Sequence, residues 1–230
     1  MQFIIIIGIF IVVLAVLFFV LEINTKKIKE VIENKRLNEL TDKFPENVDI
    51  CKSILKDLNN EDVKIEEDKE TKTSLYLVMS NKIIIANNRD SFTRIQTIAH
   101  ECIHSIQSKK MLMFNYIYSN IYLLYFAVIS ILTVFKVVNN LMLQVEILTI
   151  LGLIYYFIRS MLEFDAMIKA KYVAKDYMEK CNCCTNEEIQ EIVEGYDKLN
   201  NIGIKGANLE LLFNIIIKVI IYCVICIIVV

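Results

Sequence analysis

Ile98-Ala99-His100-Glu101-Cys102-Ile103-His104-Ser105 carries the pattern His-Glu-x-x-His, and His100 and His104 are the two histidines of the 230-residue chain. On a helix, residues i and i+4 share a face, so both imidazoles can meet one tetrahedral Zn²⁺. Glu101 sits one position round, where its carboxylate can serve a water on the metal as general base. The plainer reading of the same five residues is a chance match on an ordinary amphipathic helix. The flanking sequence has to decide between them.

That flanking sequence is apolar. Hydrophobic residues make up 56% of the chain, with one Pro and no Trp, and mean hydropathy is +0.49. Such a composition is too apolar for a soluble domain of this length and points to an integral membrane protein. With a net charge of −2, nothing points to a nucleic-acid partner.

A bilayer core about 30 Å thick takes roughly 20 apolar residues of helix. Four stretches meet that need: 3–21, 113–135, 141–158 and 211–230. The first has no basic lead and no small-x-small cleavage site, so it reads as an anchor rather than a removable signal. Lys218, inside the last, can snorkel or pair with a neighbouring helix. Lys26, Lys27, Lys29, Lys35 and Arg36 follow the first span, Lys109 and Lys110 precede the second, and Arg159, Lys169, Lys171 and Lys175 follow the third. Between the second and third there is only Lys136. The positive-inside rule then puts both polar segments in the cytoplasm and both termini outside. The organisation expected is an anchor over 1–22, a cytoplasmic segment over 23–112 holding the motif helix, a transmembrane hairpin over 113–158, a cytoplasmic helical segment over 159–210 and a last span over 211–230.

Within the first cytoplasmic segment, apolar spacing predicts amphipathic helices over 24–40 and 48–58, followed by a charged loop over 61–73. The period then changes. Runs 74–79 and 82–86 around Ser80-Asn81 predict a short β-hairpin. Asp90 or Ser91 would cap a helix over about 91–109 that buries Phe92, Ile95, Ala99, Cys102, Ile103 and Ile106. Strand, turn and motif helix in this order leave a strand edge beside the metal, where an extended peptide could add as a further strand. The alternative is a two-stranded sheet that merely caps the helix. Cys102 lies on another face from the histidines and reads as packing, while Cys223 and Cys226 in the last span read as small lipid-facing or packing residues. Cys181, Cys183 and Cys184, on the cytoplasmic side, are expected to be free thiols on a turn rather than a second metal site.

A catalytic zinc site takes three protein ligands plus water. With no further histidine, the third must be a carboxylate or a thiolate, and Glu163 in Met161-Leu162-Glu163-Phe164-Asp165-Ala166 is the best candidate. The hairpin leaves and re-enters one membrane face, which returns Glu163 beside the motif helix. An unbroken helix from His104 to the hairpin tip would run roughly 52 Å against about 35 Å for the return to Glu163. A break is therefore expected, across 108–113. The alternatives are a Glu163 that pairs with Arg159, and an Asp165 that serves as ligand or hydrogen-bonds an imidazole.

Assembled in this way, the residues resemble the neutral zinc metallopeptidases of the YugP type. The likeness lies in a short anchor, the Ile54-Leu55-Lys56-Asp57 helix before a strand, His100-Glu101-Cys102-Ile103-His104-Ser105-Ile106-Gln107, a membrane hairpin, Glu163-Phe164-Asp165-Ala166 and a final span. Two positions depart from the usual pattern: Ile103 stands where a Gly is common, and Met167 where a Ser is. The resemblance implies one Zn²⁺ held by His100, His104 and Glu163, with Glu101 as catalytic base in a gluzincin-like enzyme. The fold expected is mainly α and integral to the membrane, with four transmembrane helices plus a small zincin-like cytoplasmic part made of the hairpin and the motif helix. The function expected is a multi-pass cell-membrane metalloendopeptidase, active on the cytoplasmic side against membrane-associated protein or peptide. Tyr172, Arg159 and Tyr155 are candidates for steadying the oxyanion. A site-2-type intramembrane protease fits less well, since Arg94, Gln96, Gln107, Lys109 and Lys110 flank the motif. The alternative from another class is a non-catalytic, zinc-stabilised membrane scaffold or metal sensor.

Overall fold

The computed structural model describes residues 1–21, 25–68, 70–71 and 73–230. The expected boundary between residues 22 and 23 falls outside them. The described chain is mainly helical, with one three-stranded sheet. The helices are α1 (Gln2–Val20), α2 (Thr25–Ile32), α3 (Lys35–Asp42), α4 (Asn47–Asp57), α5 (Arg94–Ile106), α6 (Lys109–Val134), α7 (Leu141–Cys181) and α8 (Asn186–Val229). The strands are β1 (Lys64–Asp68), β2 (Leu75–Leu77) and β3 (Lys82–Ala86). Among the described residues, α1, α6, α7 and α8 are long and apolar enough to cross a membrane. The chain forms two compact units: Met1–Ile23, Phe114–Met161 and Lys205–Val230 make one, and Asn24–Met113 and Leu162–Ile204 the other.

The first unit is built on aromatic and small side chains. Tyr122, Ile129, Val145, Leu148, Val219, Tyr222, Cys223 and Cys226 are its buried cluster, and Phe3, Ile6, Ile7 and Phe10 of α1 pack against it. Of the two roles open to Cys223 and Cys226, they take the packing one, both fully buried in this cluster. Three polar pairs tie the helices of this apolar unit together, because an unpaired polar group is costly there, while Asn115 Oδ1 and the Tyr122 hydroxyl are buried without a hydrogen-bond partner among the described residues. Tyr125 donates to Gln144 Oε1 at 2.7 Å, Tyr118 to Leu151 O at 3.1 Å, and the Thr133 and Tyr222 hydroxyls meet at 2.9 Å. Gly152 is required by space: a Cβ there would collide with Ile215 Cγ2 and the Tyr122 hydroxyl.

The second unit holds the motif. The helix expected over 24–40 is two helices, because the Asn34 side chain accepts from Leu37 N and starts α3 afresh. The hairpin forms as β2 and β3, antiparallel, with Tyr76 opposite Ile83. The charged loop expected over 61–73 is corrected in part: Lys64–Asp68 is a strand, parallel to β3, and the sheet order is β1-β3-β2. Its sequence, KIEED, has no apolar alternation. It pairs because β3, with Ile83 and Ile85 fully buried, is the sheet's centre and needs a partner on both sides. The exposed charges on β1 then blunt that outer edge against further pairing.

The motif helix begins later than expected, at Arg94 with Thr93 as N-cap, and Ser91 Oγ instead accepts from Thr93 N at 3.3 Å. The late start puts Arg94 inside the core. Its fully buried guanidinium donates to Thr41 O, Phe44 O, Pro45 O and Asn47 Oδ1 at 2.8–2.9 Å, closing the end of α3 and the turn into α4. Replacing Arg94 by Met should leave these acceptors dry and cost about 3 kcal/mol or more. A thermal-unfolding curve that does not move to lower temperature would contradict this. Phe92, Ile95, Ile98, Ala99, Cys102 and Ile103 are buried; Ile106, expected to join them, is 45% exposed.

Helix α5 stops at Ile106 and α6 starts at Lys109, so the break falls at Gln107 and Ser108, on the upstream edge of the expected window. Gln107 leaves the helix with ψ 163°. The thiols at the end of α7 also differ from expectation. Asn182, at φ 53°, brings Cys181 and Cys183 together, and they are joined in a disulfide. Cys184 remains a free thiol.

Candidate metal centre

Helix α5 carries His100 and His104 on one face, and their rings stand perpendicular with centroids 4.6 Å apart. The two Nε2 atoms are 3.0 Å apart. From α7, Glu163 reaches both: Oε2 lies 3.3 Å from His100 Nε2 and Oε1 lies 3.6 Å from His104 Nε2. The three residues form a group able to hold a metal ion, with donor atoms within 4.8 Å of one another. The donor set fits zinc. Bonds of about 2.0–2.2 Å in a tetrahedron put neighbouring donors roughly 3.3 Å apart, close to the separations found. His104 is nearly enclosed, whereas the His100 and Glu163 side chains are each 19% exposed, so one flank stays open.

The packing that delivers Glu163 is readable along α7. Leu162, Ala166, Ala170 and Ala174 form its buried side, and three alanines keep that side shallow so a neighbouring backbone can approach. Gln107 joins the helices. Its Oε1 lies 2.9 Å from His104 Nδ1, and its Nε2 donates to Leu162 O and Asp165 Oδ2, both at 2.9 Å. Two acceptors facing the nitrogen fix the amide's orientation. Its oxygen must therefore accept from His104 Nδ1–H, which leaves the Nε2 lone pair for a metal. Sequence reasoning missed Gln107; its place three residues after His104 was the available signal. The expectation for Asp165 is corrected too. It reaches the imidazole through Gln107 rather than directly, and its other oxygen holds Lys169 Nζ at 2.6 Å. Replacing Gln107 by Ala should weaken zinc binding 10- to 100-fold, roughly the cost of losing an outer-shell partner. Competition with a chromophoric chelator measures this, and an unchanged affinity would remove Gln107 from the site.

Glu101 is 6% exposed and turns toward the sheet, where Oε2 accepts from Tyr76 N at 2.6 Å. Burial raises its pKa above the ordinary carboxylate range, against the opposing pull of the two histidines and the Tyr76 amide. Burial would by itself lower the His104 pKa; the Glu163 and Glu101 carboxylates and the Gln107 amide outweigh it and hold it above the usual value. The expected strand edge therefore exists at β2, but its Tyr76 N–H already serves Glu101. Proline at 76 would delete that donor without touching the ladder, since this N–H points away from β3. If the centre hydrolyses peptide bonds, Tyr76→Pro should lower that rate by about 10-fold or more, in line with a net hydrogen bond to a charged group, with any bound zinc retained. Tyr76→Phe, which keeps the amide, should not.

Further contacts fix the frame. Asn60 Nδ2 donates to Ser105 Oγ at 2.8 Å, tying the end of α4 to α5. Cys102 faces Cys51, their sulfurs 3.7 Å apart in the core, so it packs and does not ligate. Of the expected oxyanion partners, Tyr172 is nine positions from Glu163, half a turn round the helix, and 57% exposed. It does not face the site. Tyr155 stacks on Tyr122 in the other unit.

Compared with known proteins, the chain matches no family model, no curated protein and no solved structure. The resemblance drawn from its motifs therefore rests on its own residues.

Proposed function

We propose that this chain is a membrane-embedded, zinc-dependent metalloendopeptidase that hydrolyses peptide bonds at the cytoplasmic membrane surface. One observation carries the reading: Glu163, remote in sequence, converges on the paired Nε2 atoms of His100 and His104. His100, His104 and Glu163 would hold Zn²⁺, which when bound would supply a Lewis acid and lower the pKa of the attacking water toward neutrality. The residues of the chain do the rest. His100 and His104 offer their Nε2 atoms, the second kept in the right tautomer by Gln107. The attacking water gives its proton to Glu101, whose Oε2 is steadied by Tyr76 N–H so that Oε1 is the oxygen to receive it. As the C–N bond breaks, Glu101 returns that proton to the leaving amine. Burial around Glu101, which raises its pKa, supports this role, because the group must hold a proton between taking it from water and giving it to the amine. The four apolar helices support a multi-pass membrane location, and the lysine and arginine distribution supports a cytoplasmic site.

The competing reading is a zinc-stabilised scaffold or sensor. A structural zinc site closes with four protein ligands, whereas an enzyme keeps one position for water. Three converging donors and an open flank favour the enzyme. The test is metal content together with cleavage of an unfolded protein in detergent. One equivalent of zinc with chelator-sensitive cleavage supports the peptidase; zinc with no cleavage of any unfolded substrate supports the scaffold.

A further inference from the structure

Helix α7 carries a second track, on the side away from Glu163. At 100° per residue, Phe157, Met161, Phe164, Ile168 and Tyr172 fall within an arc of about 80°. All are exposed, from 40% at Ile168 to 67% at Phe157. On the opposite side, Leu162, Ala166, Ala170 and Ala174 are at most 4% exposed. A helix lying in water would carry charge on its open face. On the track itself no charged residue falls before Lys175, one turn past Tyr172, and the charges beside it are paired, Asp165 with Lys169 and Lys171 with Asp197.

We propose that the lipid surface follows α7 past Glu163 as far as Tyr172. Three observations point to lipid as what covers this face. The track continues, on one unbroken helix, the apolar run that begins at Leu141. Its length fits: Leu141 to Tyr172 rises about 46 Å, close to the roughly 40–45 Å of a bilayer with its headgroup layers. Gln144 and Glu146 then fall in one headgroup layer and Tyr172 and Lys175 in the other. Tyrosine is enriched at that level, and lysine can lay its stem on the apolar side while its charge meets lipid phosphates. The transmembrane boundary expected at residue 158 moves accordingly, and Glu163 lies on a stretch bounded by lipid. Where the peptidase reading holds, on which this consequence alone rests, the substrate is a polypeptide segment at the lipid–water boundary rather than a soluble peptide.

The chain has no tryptophan, so one introduced Trp is the sole reporter. Phe164→Trp, Ile168→Trp and Tyr172→Trp are each placed in the full chain and reconstituted in vesicles of phosphatidylcholine and phosphatidylglycerol. Lys52→Trp on α4, where the side chain is 64% exposed, is the water-facing control. The expected result is blue-shifted emission at 164, 168 and 172, strongly quenched when the acyl chains carry bromine and weakly by aqueous iodide, with the control reversed. Iodide quenching equal to the control would overturn the proposal. So would shielding from both quenchers, which would mean that protein, such as a second copy, covers the face. The readout uses neither zinc nor cleavage, so a chain that binds no metal yet shows bromine quenching ends the peptidase reading and leaves this one standing.

Discussion

On the proposed reading, replacing Glu163 by Gln or Ala should abolish zinc binding. Two imidazoles alone leave the ion without its anionic ligand, and the loss should exceed the roughly 100-fold that an outer-shell change produces. The protein should emerge from dialysis against low-micromolar zinc with far less than one equivalent of metal, and cleavage should vanish with it. Folding is expected to persist, because the frame around the site stands on the Arg94 network, the Asn60–Ser105 link and the alanine face of α7 rather than on Glu163. Circular dichroism and gel-filtration profiles matching wild type would certify that. Full zinc stoichiometry in both variants would mean that the ion, if there is one, sits elsewhere, and the proposed centre would fall.

Glu101→Gln should do the reverse: keep the metal and lose the chemistry. Gln preserves an oxygen for the Tyr76 amide and nearly the same volume in a buried place, so neither the sheet contact nor the packing suffers. What disappears is the group that takes a proton from water and gives it to the amine, an effect of about 10²- to 10⁴-fold in rate. Zinc content by elemental analysis and turnover of an unfolded substrate, measured on one preparation, separate the two. Unchanged turnover with zinc retained would take the base role from Glu101. The two variants read together also divide enzyme from scaffold, since a scaffold would show the metal loss of the first and no rate to lose in the second.

Much of the candidate site was legible because its signals are local. The i, i+4 histidines need only a helix, and apolar spacing around Ile95, Ala99, Cys102 and Ile103 supplies one. Glu163 came from topology joined to donor chemistry: a hairpin must return, and a third ligand must be anionic. Other features left no such mark. β1 is charged and aperiodic, and exists because β3 has a second edge to fill. Gln107 is an ordinary polar residue until the helix stops and its amide spans His104 and Asp165. Arg94 looks like a surface charge until a late helix start turns it inward.

By itself, then, the sequence determined the apolar spans, the motif helix and the hairpin beside it, since hydropathy and periodicity act over a few turns of chain, and it named the candidate donors that the fold brings together. Only the tertiary structure decided how these side chains are held: which imidazole nitrogens face Glu163, which oxygen of Glu101 meets the Tyr76 amide, and what caps the buried turn after α3. Those depend on hydrogen bonds between residues tens of positions apart, and a polar side chain carries no sign in its own neighbourhood of the distant partner that folding will bring to it.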